Sequence, residues 1–287
     1  EVKMARRNQE RTGPRTKGSD ELPADLNKMM NPMDFIVPTD IVDLPSKGEC
    51  YPEGHPLQDR DTIEIRYMTA KDEDILTSRS LLKKGIALDR LISNLILDKS
   101  INAKHLLIGD RNAIIISARA SAYGHMYETT VSCPSCNGPQ KHSFDLTEPK
   151  VYNGDDWGDH EISKTEKGTY KIVLPFSKIE VELRLLIGSD ETQILKSISS
   201  SNKENKEDSL ITNQMKAFIV AVNEYSDPKV INHFVTNIIA QESRLLRNIM
   251  KIITPDLRIV DDFECASCSH EQELEVPFGA DFFWPDR

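Results

Sequence analysis

The sequence has no apolar run long enough to span a bilayer. Its two longest candidates, Leu106–Ile116 and Ile238–Ile253, are broken by Asp110 and Arg111 and by Arg244 and Arg247. The start does not read as a secretory signal, because Met4-Ala5-Arg6-Arg7 leads into polar residues and not an apolar core. No glycine-rich phosphate loop is present, so nucleotide chemistry of that kind has no seat. His105 and His125 have no serine or cysteine that chain order offers as a nucleophile. Asp72-Glu73-Asp74 pairs carboxylates, but it lies where a helix begins, and capping explains it better than acid–base catalysis. The residues point to no enzyme.

What is present suits a soluble globular protein, at 38% hydrophobic and 29% charged residues over 287 positions, enough for one large domain or two modest ones. The net charge of -10 is unevenly spread. Residues 1–18 carry Lys3, Arg6, Arg7, Arg11, Arg15 and Lys17 against Glu1 and Glu10, so this arm is +4 and the remainder -14. A body that acidic is a poor binder of phosphate backbones, so no specific nucleic acid is expected. The arm better suits an acidic protein neighbour, with Arg6, Arg7 and Arg11 as its candidate contacts.

Four of the five cysteines form two Cys-x-x-Cys pairs, Cys133/Cys136 and Cys265/Cys268, and strand-like residues flank each pair. Two such knuckles supply four thiolates, a full tetrahedral set for one structural zinc ion with no open coordination position. The separation of the pairs makes the intervening chain a folded unit whose ends lie close together. Thioredoxin-like redox pairs would want a helix after the first cysteine, where strands are expected here. A four-thiolate iron centre uses the same ligands, and spacing does not separate the two metals. His142 and His270 read as ordinary exposed residues, and Cys50 as a small, partly buried one.

The expected fold class is α+β: a mostly helical body with short antiparallel hairpins and a four-cysteine zinc ribbon. Residues 1–33 read as an extended basic arm and 34–125 as a mainly helical domain. Residues 126–147 and 259–287 form the ribbon and C-terminal segment, and 148–258 an α+β insert with a mobile loop near 199–208. Thr69 is the expected N-cap of a first helix. Leu88, Leu91, Ile92, Leu95 and Ile96 mark a second. Ile114–Ile116 is left open between helix and strand. Helices are expected over 210–225 and 228–253, the latter capped by Asp227, and a hairpin around Pro175. Arg119 reads as a buried paired group. Apart from the cysteine hairpins, no internal repeat is evident.

An ordered series of short motifs then carries a resemblance. Tyr67-Met-Thr-Ala-Lys-Asp-Glu-Asp-Ile-Leu-Thr77, Leu106-Leu-Ile-Gly-Asp-Arg111, Ala118-Arg-Ala-Ser-Ala-Tyr-Gly124, Cys133-Pro-Ser-Cys136 and the ending Phe278-Gly-Ala-Asp-Phe-Phe-Trp-Pro285 resemble the baseplate hub proteins of T-even-like contractile-tailed phages. The resemblance implies a non-enzymatic tail component, assembled in the host cytoplasm and located in the virion's tail baseplate. Its implied partners are other baseplate and hub proteins and the tape-measure protein, with no membrane. It leaves open an assembly chaperone absent from the mature virion, and the cysteine knuckles leave a nucleic-acid-binding zinc-ribbon protein as the other alternative. Phe282, Phe283 and Trp284 are either the last core element or an anchor for a neighbour.

Overall fold

Alternating apolar side chains build the first unit, an antiparallel hairpin of β1 (Thr39–Asp43) and β2 (Thr62–Arg66) that sets buried Val42 opposite buried Ile63. The computed structural model describes residues 37–147, 149–194, 210–276 and 280–283. The expected arm over 1–33, the loop near 199–208 and Trp284 therefore lie outside the described residues.

Thr69 caps α1 (Ala70–Thr77), as expected, and α2 (Arg79–Lys83) and α3 (Ala87–Leu95) follow. Leu91, Ile92 and Leu95 of α3 are fully buried, whereas Leu88 lies at the edge of the stripe. The isoleucine run is helical, inside α4 (Ile108–Tyr123). β3 (Met126–Ser132) and β4 (Pro139–Asp145) form the first cysteine hairpin.

Two short strands, β5 (Lys150–Tyr152) and β6 (Ile162–Lys164), come first in the expected α+β insert. β7 (Tyr170–Val173) and β8 (Glu180–Leu183) make the hairpin around Pro175, and residues 188–194 are helical. α5 (Leu210–Phe218) runs straight into β9 (Ile219–Val222), which completes an antiparallel sheet of order β6-β7-β8-β9. The single helix expected over 210–225 thus stops at Phe218, because pairing to β8 claims the apolar Ile219–Val222 run. The helix expected over 228–253 is also two, α6 (Pro228–Asn237) and α7 (Ala240–Ile253), parted by extended Ile238 and Ile239. Asp227 caps the first of them through the Lys229 N–H at 2.8 Å. β10 (Asp256–Arg258) pairs with β5, β11 (Val260–Glu264) with β12 (Glu271–Glu275), and a short 3₁₀ turn covers Ala280–Phe283. Helices and antiparallel strands are interleaved among the described residues, so the body is a mixture of the two and not mostly helical.

These elements repeat. Leu44-Pro45-Ser46-Lys47 leaves the first hairpin's opening strand, and Leu174-Pro175-Phe176-Ser177-Lys178 leaves the second's, with both lysines at positive φ (49° and 57°). Val42 faces Ile63 in one hairpin and Ile172 faces Val181 in the other. At the end of each second strand, as the last residue of β2 and the residue just after β8, an arginine's guanidinium grips an aspartate six residues on. Arg66 donates to both Asp72 carboxylate oxygens at 2.7 and 3.0 Å, and Arg184 to both of Asp190 at 2.8 Å. The same carboxylates accept the Thr69 and Ile187 N–H, each at 2.9 Å. A chain segment following a helix then pairs back onto the hairpin, Ile96 on Ile65 and Ile219 on Leu183. Near the start of each long helix a buried acid receives the hairpin's serine. Asp110 accepts the Ser46 N–H and hydroxyl, and Glu242 those of Ser177. The cysteine hairpins therefore close two equivalent halves, and one continuous core runs through both, from Val42 to Phe283.

The Arg66–Asp72 pair carries a pH dependence. Burial pushes the Asp72 carboxyl up, but the Arg66 guanidinium and the Thr69 N–H and hydroxyl outweigh it and hold it down to about 2. The depressed carboxylate contributes stability, about 2 kcal/mol, that is complete above the unfolded value near 4 and lost as pH falls through 2. In urea unfolding, wild type should exceed Asp72→Asn by that amount at pH 7, with the gap closing toward pH 2. Any change at the cysteine cluster at low pH is common to both chains and cancels in the difference. A gap independent of pH would refute the assignment.

Candidate metal centre

The cysteine hairpins share one local design. In the first, the Asn137 N–H returns to the Cys133 carbonyl at 2.8 Å and the Cys133 N–H reaches the Gly138 carbonyl at 2.9 Å. In the second, the Ser269 N–H returns to Cys265 at 2.8 Å and the Cys265 N–H reaches His270 at 2.9 Å. Asn137 and Ser269 both take positive φ, 57° and 53°, which turns the chain tightly enough to aim two sulfurs the same way. Short polar side chains suit that conformation.

All four predicted cysteines come together, with their sulfurs within 4.8 Å of one another. Cys133 Sγ lies 3.7 Å from Cys268 Sγ, and Cys136 Sγ lies 3.7 Å from Cys265 Sγ. Exchanging the two halves maps one contact onto the other. These separations are far above the disulfide bond length of about 2.05 Å. A tetrahedron with metal–sulfur bonds of about 2.3 Å has sulfur–sulfur edges of about 3.8 Å, and the two contacts between knuckles match that edge. Cys133 and Cys265 are buried, Cys136 and Cys268 exposed. The site thus sits at the surface with one inner and one outer ligand from each half.

The thiols are prepared unequally. The Ser267 N–H, against some burial, lowers Cys265 to about 6. The His270 N–H acts to lower Cys268, but burial and hydrogen bonds from neighbouring thiols overcome it and push that thiol up to about 12.

Gln140 links the knuckles from outside the ligand set. Its Nε2 donates to the Glu264 carbonyl at 2.9 Å, and its Oε1 accepts the Ala266 N–H at 2.8 Å. Gln272 is its counterpart, but the residue corresponding to Ala266 is Pro134, which has no N–H to give. Gln272 lies instead beside His270 Nε2, at 3.2 Å. His142 is not the exposed residue expected from sequence: its side chain is 14% exposed and its ring packs edge-on to Phe144 and Phe263. The buried pairing expected of Arg119 is present. Its Nε donates to the Phe282 carbonyl at 3.0 Å and its Nη1 to Gly124 at 3.2 Å, while the guanidinium lies over the Tyr123 ring. Phe282 and Phe283, candidate partner contacts in the sequence, are 1% and 2% exposed, and Phe282 packs edge-on to Tyr127. Arg6, Arg7, Arg11 and Trp284 lie outside the described residues. Cys50, the fifth cysteine, is half-buried 3.6 Å from the Tyr170 hydroxyl, and burial raises its thiol.

Residues 37–284, which include both hairpins and the core they close, match the family model described as T4 bacteriophage base plate protein. The chain belongs to that family. No curated protein and no solved structure matches it. As a T4-like baseplate protein it has a structural role in the tail baseplate of the phage virion, among other baseplate components. Among the described residues, no helix is long and apolar enough to cross a membrane.

Proposed function

We propose that this baseplate protein is a structural subunit of the hub region, needed to build the baseplate around the hub and tape-measure protein, and that Cys133, Cys136, Cys265 and Cys268 hold one structural zinc ion. The observation behind the metal assignment is the 3.7 Å sulfur–sulfur spacing between knuckles, the edge length a four-thiolate zinc site requires. Four thiolates fill a tetrahedral ion and leave no position for substrate or water, so the ion supplies folding energy and not Lewis-acid chemistry. Sulfur ligands in a phage protein made in a reducing cytoplasm stay available for metal and do not pair as disulfides. The acidic body and the motifs shared with hub proteins support a place among protein neighbours and not on nucleic acid.

Elemental analysis of the purified chain should find one zinc per chain, falling toward none in Cys133→Ser; iron in its place, or unchanged zinc in the variant, refutes the assignment. Mass spectrometry of purified tails should find the chain in the mature particle. Its presence during assembly and absence from finished tails would instead mark an assembly chaperone.

A further inference from the structure

The two buried acids of the repeat differ in what covers them. In the first half, the connection between β1 and β2 is long enough to fold Tyr51 back over the start of α4. The Tyr51 hydroxyl donates to Asp110 Oδ2 at 2.8 Å and accepts the Leu107 N–H at 3.1 Å. The second half's connection between β7 and β8 is much shorter and carries no such residue. There Glu242 accepts the Phe176 N–H, the Ser177 N–H and the Ser177 hydroxyl, all on Oε1. Among the described residues, nothing donates to Oε2. Beside this carboxylate, an open groove of about 360 Å³ is lined by Ser177, Ile239 and Glu242 together with Val222, Val230 and Phe234. Ser177, Ile239 and Glu242 are the counterparts of Ser46, Leu107 and Asp110, the residues gathered around Tyr51.

We propose that this groove docks a tyrosine side chain of a neighbouring baseplate subunit, which takes the position that Tyr51 fills internally in the first half. The inference rests on the baseplate reading for its partner and on the repeat for its chemistry. Apolar walls suit the ring, and a buried carboxylate at the base wants an O–H donor. Ile239 stands at the N-cap of α7 as Leu107 does for α4, so its N–H needs an acceptor. A single hydroxyl both accepts that N–H and donates to the carboxylate, as the Tyr51 hydroxyl does in the first half. Lysine and arginine have no acceptor, and phenylalanine has neither function. The chain's segments outside the described residues, 1–36, 148, 195–209, 277–279 and 284–287, contain no tyrosine, so none of them supplies the proposed ring. Phe176, 61% exposed beside Ser177, and Ile239, 49% exposed, extend the apolar surface around the groove.

The groove is tested on the full metal-loaded chain with p-cresol, the tyrosine side chain, and toluene, which lacks the hydroxyl. Methyl NMR of Val222, Val230 and Ile239 should show p-cresol binding roughly tenfold more tightly than toluene, the ratio for one charge-assisted hydrogen bond. Equal affinities, or methyls that do not move, overturn the site. Glu242→Gln should erase the preference; because Glu242 also holds the Ser177 turn, Val230→Arg serves as the variant that blocks the groove while keeping the fold, and cresol binding that survives it also overturns the site. For the partner, a photo-crosslinking benzoylphenylalanine replaces Val230 in assembled baseplates. Attachment to a tyrosine-containing peptide of another subunit supports the assignment. Attachment to a second copy, to the chain's own undescribed segments or to nothing overturns it. The titration uses the isolated chain, so its failure leaves the baseplate reading intact, and a chain missing from baseplates overturns that reading while the titration still decides the groove.

Discussion

Cys136→Ser should destabilise the protein about as much as Cys133→Ser, although Cys136 is exposed and Cys133 is fully buried. Without a metal, an exposed cysteine-to-serine change is a surface substitution worth about 0.5 kcal/mol or less. With a shared zinc ion, either change removes a ligand, and the free energy of binding that had stabilised the fold goes with it. A loss of about 4 kcal/mol or more is expected for each variant, seen as a melting temperature lower by roughly 10 °C or more. Chelation of the wild type should reproduce the same shift, and the variants should then ignore the chelator. The double variant Cys136→Ser/Cys268→Ser should cost little more than either single change, since one lost ion cannot be lost twice. A near-neutral Cys136→Ser with a costly Cys133→Ser would reduce the cluster to ordinary packing of the two inner thiols.

The effect is expected to be large because of where the cluster sits in the repeat. Each knuckle ends one half, and the sulfur contacts run only from one half to the other among those at 3.7 Å. The four-sulfur cluster thus lies where the two equivalent units meet, and the proposed ion would clasp them there, with Gln140 as a second, metal-free tie at the same place.

The sequence made this clasp legible because cysteine pairs are rare and their chemistry is narrow. The flanking hairpins were legible for the same reason, with alternation and turn residues agreeing around each pair. The repeat was not legible, and its physical cause is unequal loops. Leu44 and Leu174 are offset differently from Arg66 and Arg184, and Asp110 and Glu242 differently again, so no single period exposes the match. Its chemistry is also conserved by function and not by letter, a shorter acid in one half and a longer one in the other. The helix breaks at Phe218 and at Ile238–Ile239 were missed because apolar periodicity does not tell a buried strand from a buried helix; strand pairing decides that, and it is not local. Phe282 and Phe283 stayed ambiguous until Arg119 and Tyr127 were seen to receive the C-terminal turn.

Opposite the theme of the clasp, Arg111→Met should cost about 3–5 kcal/mol, because it strands a buried carboxylate. Arg111 Nη1 donates to Asp89 Oδ1 at 2.6 Å and to the Ala103 carbonyl at 3.2 Å, and the two side chains are 4% and 6% exposed. The same guanidinium lies against the second half. A Cβ added at Gly188 would fall 2.0 Å from Arg111 Nη1, and Thr192 Oγ1 donates to Asp89 Oδ2 at 3.3 Å. Beside it, the Ile108 N–H bonds the Leu186 carbonyl at 3.2 Å and the Gly188 N–H bonds Leu106 at 3.0 Å, so backbone and ion pair together form a second joint between the halves. Lys150–Glu273 is the control, an ion pair at 3.4 Å with side chains 66% and 64% exposed, whose removal should cost under about 1 kcal/mol. The double variant Arg111→Met/Asp89→Leu should recover about 1–3 kcal/mol relative to the sum of the single changes, since no charge is left unpaired. Urea unfolding of metal-loaded proteins measures all of these. If Arg111→Met cost no more than the surface pair, this ion pair would contribute nothing to the joint between the halves. If it costs what its burial demands, chelated protein should still keep the halves joined here, and unfolding should begin at the cysteine hairpins.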